Sequence, residues 1–190
     1  MAGRKRLSTQ DWTAAALEAL AAGGVGAVAV EPIAARLGTT KGSFYWHFSG
    51  RDALLAAALQ EWERIATDQV ITLIEGEPDL RRRLRLLLAV ALGHAGGPYG
   101  GRIELALQPS AAHPLVAPAL ARVTRRRLDY LTAMFRGLGF APDAARQRSL
   151  LAYSAYLGHA QLAHTAPELA PSADALPAYV DATIDALTAP

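Results

Sequence analysis

Residues 39–48, which read Thr-Thr-Lys-Gly-Ser-Phe-Tyr-Trp-His-Phe, carry the side chains of this sequence best suited to binding a nucleic acid. Hydroxyl, ammonium and imidazole groups hydrogen-bond to phosphate oxygens and to the edges of bases. The segment follows another short helical pattern, and the two patterns meet at Gly38. The second pattern is aromatic and polar instead of amphipathic, which is typical of a helix that reads DNA.

The spacing of these residues predicts a helix-turn-helix. In that motif a first helix lies across the DNA backbone, and the exposed side of a second helix enters the major groove. Gly38 permits the left-handed turn between the helices, and the Thr40 hydroxyl can cap the second helix. Gly42 lets the backbone approach DNA closely. Lys41 and Ser43 then lie where base edges or phosphates are within reach.

The aromatic residues of the segment are expected to divide into an inward and an outward set. Phe44 and Phe48 are four residues apart, so we expect them to pack together on the preceding helices. Tyr45 and Trp46 are expected to lie outward, and Tyr45 and His47 are candidates for contacts with the DNA backbone or bases. The alternative is that the whole aromatic cluster belongs to the core.

The elements that must position this segment are helices, because the alternation typical of strands is nearly absent. The first helix is expected to start at Ser8, where Asp11 completes a capping box, and to end at Gly23 and Gly24. Further helices are expected to begin near residues 30, 40 and 51. The fourth is long and extends to about residue 76. The predicted fold class is all-α.

Beyond Pro78 the helices become longer. The helix expected at about residues 143–165 is apolar or small on nearly all sides, so it must be covered on both sides. The final helix carries a one-sided apolar stripe from Leu176 to Leu187. Because this is more apolar surface than a small domain can hide, we expect subunits to associate. A domain boundary within the fourth helix divides the chain into residues 1–58 and 59–190.

With these motifs in place, residues from about Leu7 to Leu59 resemble the DNA-binding domain of the TetR family of bacterial transcriptional regulators. The matching pattern includes Ile-Ala-Ala-Arg-Leu-Gly at 33–38, Lys-Gly-Ser-Phe-Tyr-Trp-His-Phe at 41–48 and Arg-Asp-Ala-Leu-Leu at 51–55. The resemblance implies a three-helix helix-turn-helix domain joined by the long fourth helix to a C-terminal helical ligand-binding and dimerisation domain. Ala29 departs from the usual capping residue before the second helix.

Position by position, the resemblance implies base or phosphate contacts from Thr40, Lys41 and Ser43, and phosphate contacts from Tyr45 and His47. Arg51 stands where the family usually has lysine. A basic N-terminal arm can lie along DNA or form a solvated tail. The predicted DNA-binding residues are Arg4, Lys5, Arg6, Thr39, Thr40, Lys41, Gly42, Ser43, Tyr45, Trp46, His47 and Arg51.

For the C-terminal half, the resemblance implies a homodimer formed by the last two helices and a double-stranded DNA operator that is roughly palindromic. It also implies a small-molecule effector that binds among the middle helices and releases the DNA, so that the protein acts as a repressor. The alternative is a DNA-binding protein without small-molecule control. The predicted ligand-binding residues are His94, Tyr99, Arg102, Glu104, Gln108, Arg127, Tyr153 and Tyr156.

Among these candidates, Arg127 falls within the apolar stripe of its helix, between Val123 and Leu131. A charge at such a position requires a carboxylate partner or an anionic ligand. The alternative is an arginine that extends its head to solvent or crosses the subunit interface.

Composition excludes several other classes. The sequence has no cysteine, which removes disulfide scaffolds and thiolate metal sites, and its net charge of +2 disfavours a general polyanion binder. The histidines form no recognisable metal-ligand spacing, so we expect neither a metal site nor a cofactor, and no enzymatic activity. Neither a signal sequence nor a membrane span is evident, which favours a cytoplasmic protein.

Overall fold

The computed structural model describes residues 7–93 and 101–189, and throughout these ranges the regular elements are helical, with no strand. This confirms the all-α prediction. The helices are α1 (Thr9–Ala27), α2 (Val30–Arg36), α3 (Lys41–Phe44), α4 (Arg51–Glu63), α5 (Gln69–Glu75), α6 (Leu80–Leu92), α7 (Arg102–Leu107), α8 (Val116–Gly137), α9 (Pro142–Thr165) and α10 (Leu176–Thr188). Within the described ranges, none of these helices is long and apolar enough to cross a membrane.

Helix α1 begins at the predicted capping box and is interrupted at the predicted glycine pair. The Ser8 hydroxyl accepts a hydrogen bond from the Asp11 amide, while the Asp11 carboxylate accepts one from the Ser8 amide. Gly23 and Gly24 have non-helical backbone and interrupt the helix where its end was predicted, and a short helical segment then continues to Ala27. Gly24 has φ of 65°, and a Cβ atom there would lie 2.8 Å from the Ala106 carbonyl oxygen. Glycine therefore lets α1 approach α7 closely.

The helix-turn-helix is formed as predicted. Helix α2 starts after Ala29, which provides no side-chain cap, and the turn after α2 places Gly38 at φ of 63°. Thr40 caps α3, and its hydroxyl accepts a hydrogen bond from the Ser43 amide. Helix α3 is a single turn, so its orientation depends on packing rather than on its own helical stability.

The predicted long fourth helix is divided in two. A π-helical turn, Arg64–Asp68, separates α4 from α5, and the helical path continues through all three to Glu75. Turns of this kind leave backbone groups without their usual partners and are common at functional sites.

Two buried apolar clusters hold the helices together. The first joins α1–α4 to α7 and the N-terminal half of α8, with Trp12, Leu54 and Ile103 fully buried. The second joins α6, the C-terminal half of α8, α9 and α10, and is centred on Leu84 and Phe135. The first cluster ties the helix-turn-helix firmly to α7 and α8, so movement of these helices is transmitted to it.

Candidate nucleic-acid interface and buried polar cluster

Helix α3 and the turn after it separate their aromatic residues as predicted. Phe44 is fully buried and Phe48 nearly so, whereas Tyr45 is 57% and Trp46 89% exposed. An indole left so open to solvent in a short polar element is available to an external partner.

The inward aromatic rings fix the position of α3. The Phe44 ring lies edge-on to Trp12, with ring centres 5.3 Å apart, and stacks on Phe48 at 5.6 Å. Tyr45 also meets Phe44 edge-on, at 5.2 Å, so its ring is held while its hydroxyl group lies outside the core. Such pairs stabilise a specific geometry beyond the burial of area alone.

Lys41, the predicted base or phosphate contact, is engaged within the protein. Its ammonium group lies 2.6 Å from the carboxylate of Glu31 on α2, and both side chains are largely exposed. The hydrogen bond and charge of Glu31 raise the pKa of Lys41, and the same hydrogen bond lowers the pKa of Glu31. Because the pair is exposed, a DNA phosphate can replace Glu31 as the partner of Lys41.

Arg51 turns its guanidinium group inward. Its Nε donates to the Val28 carbonyl oxygen at 2.8 Å, and its Nη2 donates to that of Val25 at 2.6 Å. These bonds attach the start of α4 to the end of α1. Sequence reasoning did not anticipate this structural role. The predicted phosphate contact of Arg51 stays a prediction.

The other predicted DNA-binding residues lie on or beside the same surface. Thr40, Lys41 and Gly42 are exposed, while Thr39, Ser43 and His47 are partly buried. The His47 ring nitrogen Nδ1 lies 3.4 Å from the Thr9 hydroxyl oxygen. Arg4, Lys5 and Arg6 fall outside the described residues.

A second group of polar residues lies deep among the helices of the C-terminal half. The Arg127 guanidinium lies 2.7 Å from the Glu104 carboxylate, and their side chains are 14% and 6% exposed. Arg127 also donates to the Thr67 hydroxyl oxygen and to the Ala66 carbonyl oxygen, each at 3.1 Å. Of the alternatives considered for Arg127, the structure shows a carboxylate partner within the same subunit, and Arg127 additionally binds the π-helical turn.

Two tyrosines from α9 complete this polar cluster. The Tyr153 hydroxyl donates to one oxygen of Glu104 at 2.8 Å, and the Tyr156 hydroxyl donates to the other at 3.0 Å. Burial, followed by the negative charge of Glu104, raises the pKa of both tyrosines. Burial opposes the charge of Arg127, but attraction to Glu104 prevails and raises its pKa. Both tyrosines therefore stay neutral and Arg127 stays charged near neutral pH.

Arg127, Tyr153 and Tyr156 of this cluster line the polar end of a cavity of about 90 Å³, and Glu104 lies behind them. The remaining wall is mostly aliphatic and comes from α5, α6, α8 and α9. The described lining residues are Ala66, Thr67, Val70, Ile71, Leu87, Leu88, Val90, Ala91, Gly101, Arg127, Tyr130, Leu131, Ala152, Tyr153 and Tyr156. An apolar cavity with a few convergent polar groups is the usual form of a small-molecule site.

The structure brings together half of the predicted ligand-binding residues. Glu104, Arg127, Tyr153 and Tyr156 form the cluster. Arg102 and Gln108 are exposed at the two ends of α7 and do not line the cavity, and His94 and Tyr99 lie outside the described residues. Thr67 and the Ala66 carbonyl were missed, because nothing in the sequence around residues 64–68 signals a π-helical turn.

Helix α9 also has a long exposed stripe. Leu150 is 58% and Leu151 62% exposed, and the small residues Ser154 and Gly158 continue the stripe along the helix. No Asp, Glu, Lys or Arg occurs in residues 149–165.

Comparisons with known proteins agree with this architecture. Residues 13–58 match the model of a family described as bacterial regulatory proteins, tetR family. A transcriptional regulator from Rhodococcus sp. Rha1 has a TM-score of 0.75 at 22% sequence identity, over 95% of this chain and 96% of that chain. The transcriptional regulator FadR from Bacillus subtilis, solved in complex with stearoyl-CoA, has a TM-score of 0.69 at 14% identity, over 96% and 98% of the two chains. No curated protein matches the chain.

The chain has the all-helical fold of these solved structures, with an N-terminal helix-turn-helix and a helical C-terminal half. Over residues 13–58, which contain the helix-turn-helix, the chain is similar to bacterial regulatory proteins of the tetR family.

Proposed function

We propose that this protein is a homodimeric, sequence-specific transcriptional repressor, which a small molecule binding among α5–α9 releases from a palindromic operator. Residues 1–58 form the DNA-binding domain, and residues 59–190 form the ligand-binding and dimerisation domain. The observation that carries this proposal is the bonding of Arg127, at the polar end of the cavity, to the π-helical turn that continues directly from α4.

The DNA-binding part of the proposal rests on the exposed face of α3 and the turn after it. Trp46, Tyr45 and Lys41 lie together on that face, and buried phenylalanine rings hold it in place. In a helix-turn-helix, groups at the start of the second helix contact base edges, and neighbouring groups contact phosphates. We assign base or phosphate contacts to Thr39–Ser43 and backbone contacts to Tyr45 and His47.

The proposed dimer forms through α9 and α10. Soluble monomers rarely expose a continuous apolar stripe, and the exposed side of α9 carries leucines and small residues within a segment, 149–165, that has no Asp, Glu, Lys or Arg. The two acidic residues of α10, Asp181 and Asp185, are bound instead to Arg85 and Arg81 of α6. A two-fold axis through this face would form a four-helix bundle.

Two connections link the cavity to the DNA-binding domain. Arg127 on α8 holds the Ala66 carbonyl and the Thr67 hydroxyl in the π-helical turn, one turn beyond α4. Glu104 lies on α7, whose neighbouring residues Ile103 and Leu107 pack in the same core as α1 and α4. A ligand that widens the cavity and shifts this cluster as a unit therefore moves α4 and α7, and both carry the helix-turn-helix.

The size of the cavity supports release by conformational change. A volume of about 90 Å³ is well below the roughly 300–1,000 Å³ typical of ligand sites, so a ligand must widen it. A ligand that binds only the widened state shifts the population toward that state by its differential affinity. We propose that the widened state has a different spacing of the two α3 helices and therefore binds DNA more weakly.

FadR from Bacillus subtilis, the structural relative solved with stearoyl-CoA, supports small-molecule control of this chain. The second candidate is a DNA-binding protein without such control. It is favoured by the saturation of the polar cluster, in which both Glu104 oxygens already accept hydrogen bonds from other side chains.

Selection of bound DNA from a random pool tests the DNA-binding part. We expect a palindrome whose half-sites lie one helical turn apart, about 34–36 Å, because a two-fold dimer presents two α3 helices to successive major grooves. Repeating the selection with Trp46→Ala provides the control, since removal of this 89% exposed side chain should weaken DNA binding without loss of the fold. Salt-sensitive binding with no preferred sequence would contradict the proposal.

A further inference from the structure

The cavity has a mostly aliphatic wall and a polar end whose two opposite charges cancel, so that its net charge is zero. Among its described lining residues, Arg127 is the charged one, and its charge is balanced by Glu104 at 2.7 Å. The wall from α6 consists of Leu87, Leu88, Val90 and Ala91, which offer only apolar contacts. The electrostatic state of the polar end therefore decides which ligand head groups can enter.

An anionic head group is disfavoured by this pairing. To bind Arg127 it would have to replace Glu104, whose carboxylate would then be left buried without a counter-charge. If it entered without displacing Glu104, two negative charges would share one arginine in a site of low exposure. The two tyrosine hydroxyls that donate to Glu104 further fix the carboxylate in place.

A cationic head group is disfavoured as well. Both oxygens of Glu104 already accept hydrogen bonds, one from Tyr153 and the other from Arg127 and Tyr156. A second cation would lie beside Arg127, whose guanidinium also covers the Tyr156 ring at 5.4 Å. The aromatic face and the carboxylate are therefore both occupied by the arginine of the protein itself.

We infer that the effector is an uncharged, mainly apolar molecule with a single hydroxyl or carbonyl oxygen, which enters while the Arg127–Glu104 ion pair stays intact. This inference rests on the proposed ligand-responsive function. It extends that function by naming the chemical class of the ligand.

The polar end can recognise one such oxygen. A guanidinium group has five N–H donors, and within the described part of the chain Arg127 directs at least three of them to Glu104, Thr67 and Ala66, so at most two remain. A hydroxyl or carbonyl oxygen of the effector can accept from these donors without disturbing the ion pair. A hydroxyl or carbonyl compound with an aliphatic chain or ring would place its apolar part against α5 and α6.

Three compounds with the same chain and different head groups test the inference: octan-1-ol, octanoate and octylamine. With the full-length protein at pH 7, octan-1-ol at ten times its Kd should raise Tm by roughly 3–5 °C. It should also weaken binding to the selected operator at least tenfold. Octanoate and octylamine at the same concentration should change neither quantity. Ala91→Phe, which fills the cavity, should abolish both effects of octan-1-ol. This variant therefore distinguishes binding in the cavity from non-specific effects of the alcohol.

Glu104→Gln reverses the expected preference. In this variant the charge of Arg127 is no longer balanced by Glu104. Octanoate should therefore raise Tm by several degrees, and octan-1-ol should no longer raise Tm more than octanoate does. If this variant does not fold, the comparison of the three compounds with the wild-type protein still tests the inference.

Different results would contradict the uncharged-effector inference and the proposed control of DNA binding by a ligand. Stabilisation and operator release by octanoate or octylamine with the wild-type protein would overturn the uncharged-effector inference and leave ligand control intact. A Tm and an operator affinity unchanged by all three compounds would count against the inference and also against ligand control.

Discussion

The outer face of α3 and the cluster around Arg127 are both polar, but they use their polar groups in opposite ways. Around α3, Trp46, Tyr45 and Lys41 are exposed, and the ion pair of Lys41 is easily exchanged in solvent. Around Arg127, each charged group is buried and already bound to several partners within the protein. The first surface is ready for an external partner, whereas the second joins helices and restricts which ligands can enter.

The largest effect is expected at the buried cluster. Arg127→Ala leaves the Glu104 carboxylate buried without a counter-charge, so the free energy of unfolding should fall by about 3–5 kcal/mol. Urea denaturation measures this change. Arg125→Ala, an exposed arginine on the same helix, should change stability by less than about 0.5 kcal/mol. Similar losses for both variants would show that the Arg127 cluster has no special role.

The paired variant Arg127→Met with Glu104→Gln sharpens this test. It removes both charges together, so much of the stability lost in Arg127→Ala should return. A double variant as unstable as the single one would mean that the shape of Arg127, and not its pairing with Glu104, holds the helices.

The next largest effect concerns dimerisation. Leu151 on α9 and Leu73 on α5 are both 62% exposed, which makes them a matched pair outside the core. Leu151→Glu places two like charges against an apolar face near the two-fold axis and should weaken the dimer roughly a hundredfold in analytical ultracentrifugation. Leu73→Glu should leave the dimer unchanged. Equal association of both variants would exclude the α9 face as the interface.

A smaller effect is expected at the hydroxyl of Tyr45. Tyr45→Phe keeps the ring contact with Phe44 and removes only the hydroxyl group, so Tm should not change. A hydrogen bond to a charged phosphate contributes enough that each half-site should lose about tenfold in affinity. Fluorescence anisotropy should find the same factor for operator and for unrelated DNA, since phosphates carry no sequence information. Full affinity in the variant would remove Tyr45 from the interface.

The smallest expected effect is an increase in DNA affinity. Glu31→Gln weakens the hold of Glu31 on Lys41, so the ammonium group is free to meet a phosphate, and binding to all DNA sequences should tighten about two- to fivefold. The dependence of log affinity on log salt should steepen at the same time. Glu168→Gln makes the same change of charge on the segment between α9 and α10. Equal tightening in that variant would indicate a general charge effect instead of the release of Lys41.

The same contrast explains how much the sequence could predict. The helix-turn-helix is contiguous, so the cap at Thr40, the turn at Gly38 and the inward phenylalanines follow from local spacing. The inward turn of Arg51 was not predictable, because its acceptors, the carbonyl groups of Val25 and Val28 at the C-terminal end of α1, are more than 20 residues away in the chain.

The buried cluster was predictable only in part. The position of Arg127 within an apolar stripe indicated that it needs a partner, and Glu104 was among the candidates. Periodicity could not show that α7, α8, α9 and the π-helical turn converge there, because these elements are far apart in the chain. Arg102 and Gln108 are also polar and close in sequence to Glu104, but they are exposed, which sequence spacing alone could not distinguish.

The most direct measurement is the distance between the two DNA-binding domains of the dimer. Since the sequence has no cysteine, Gln10→Cys on the exposed side of α1 gives one specific spin label per subunit. With operator bound, pulsed electron spin resonance should give a narrow distance distribution. Octan-1-ol should shift its mean by several Å while it releases the DNA. A distribution that stays the same while DNA is released, or no distance between subunits at all, would contradict control of α3 spacing by the cavity.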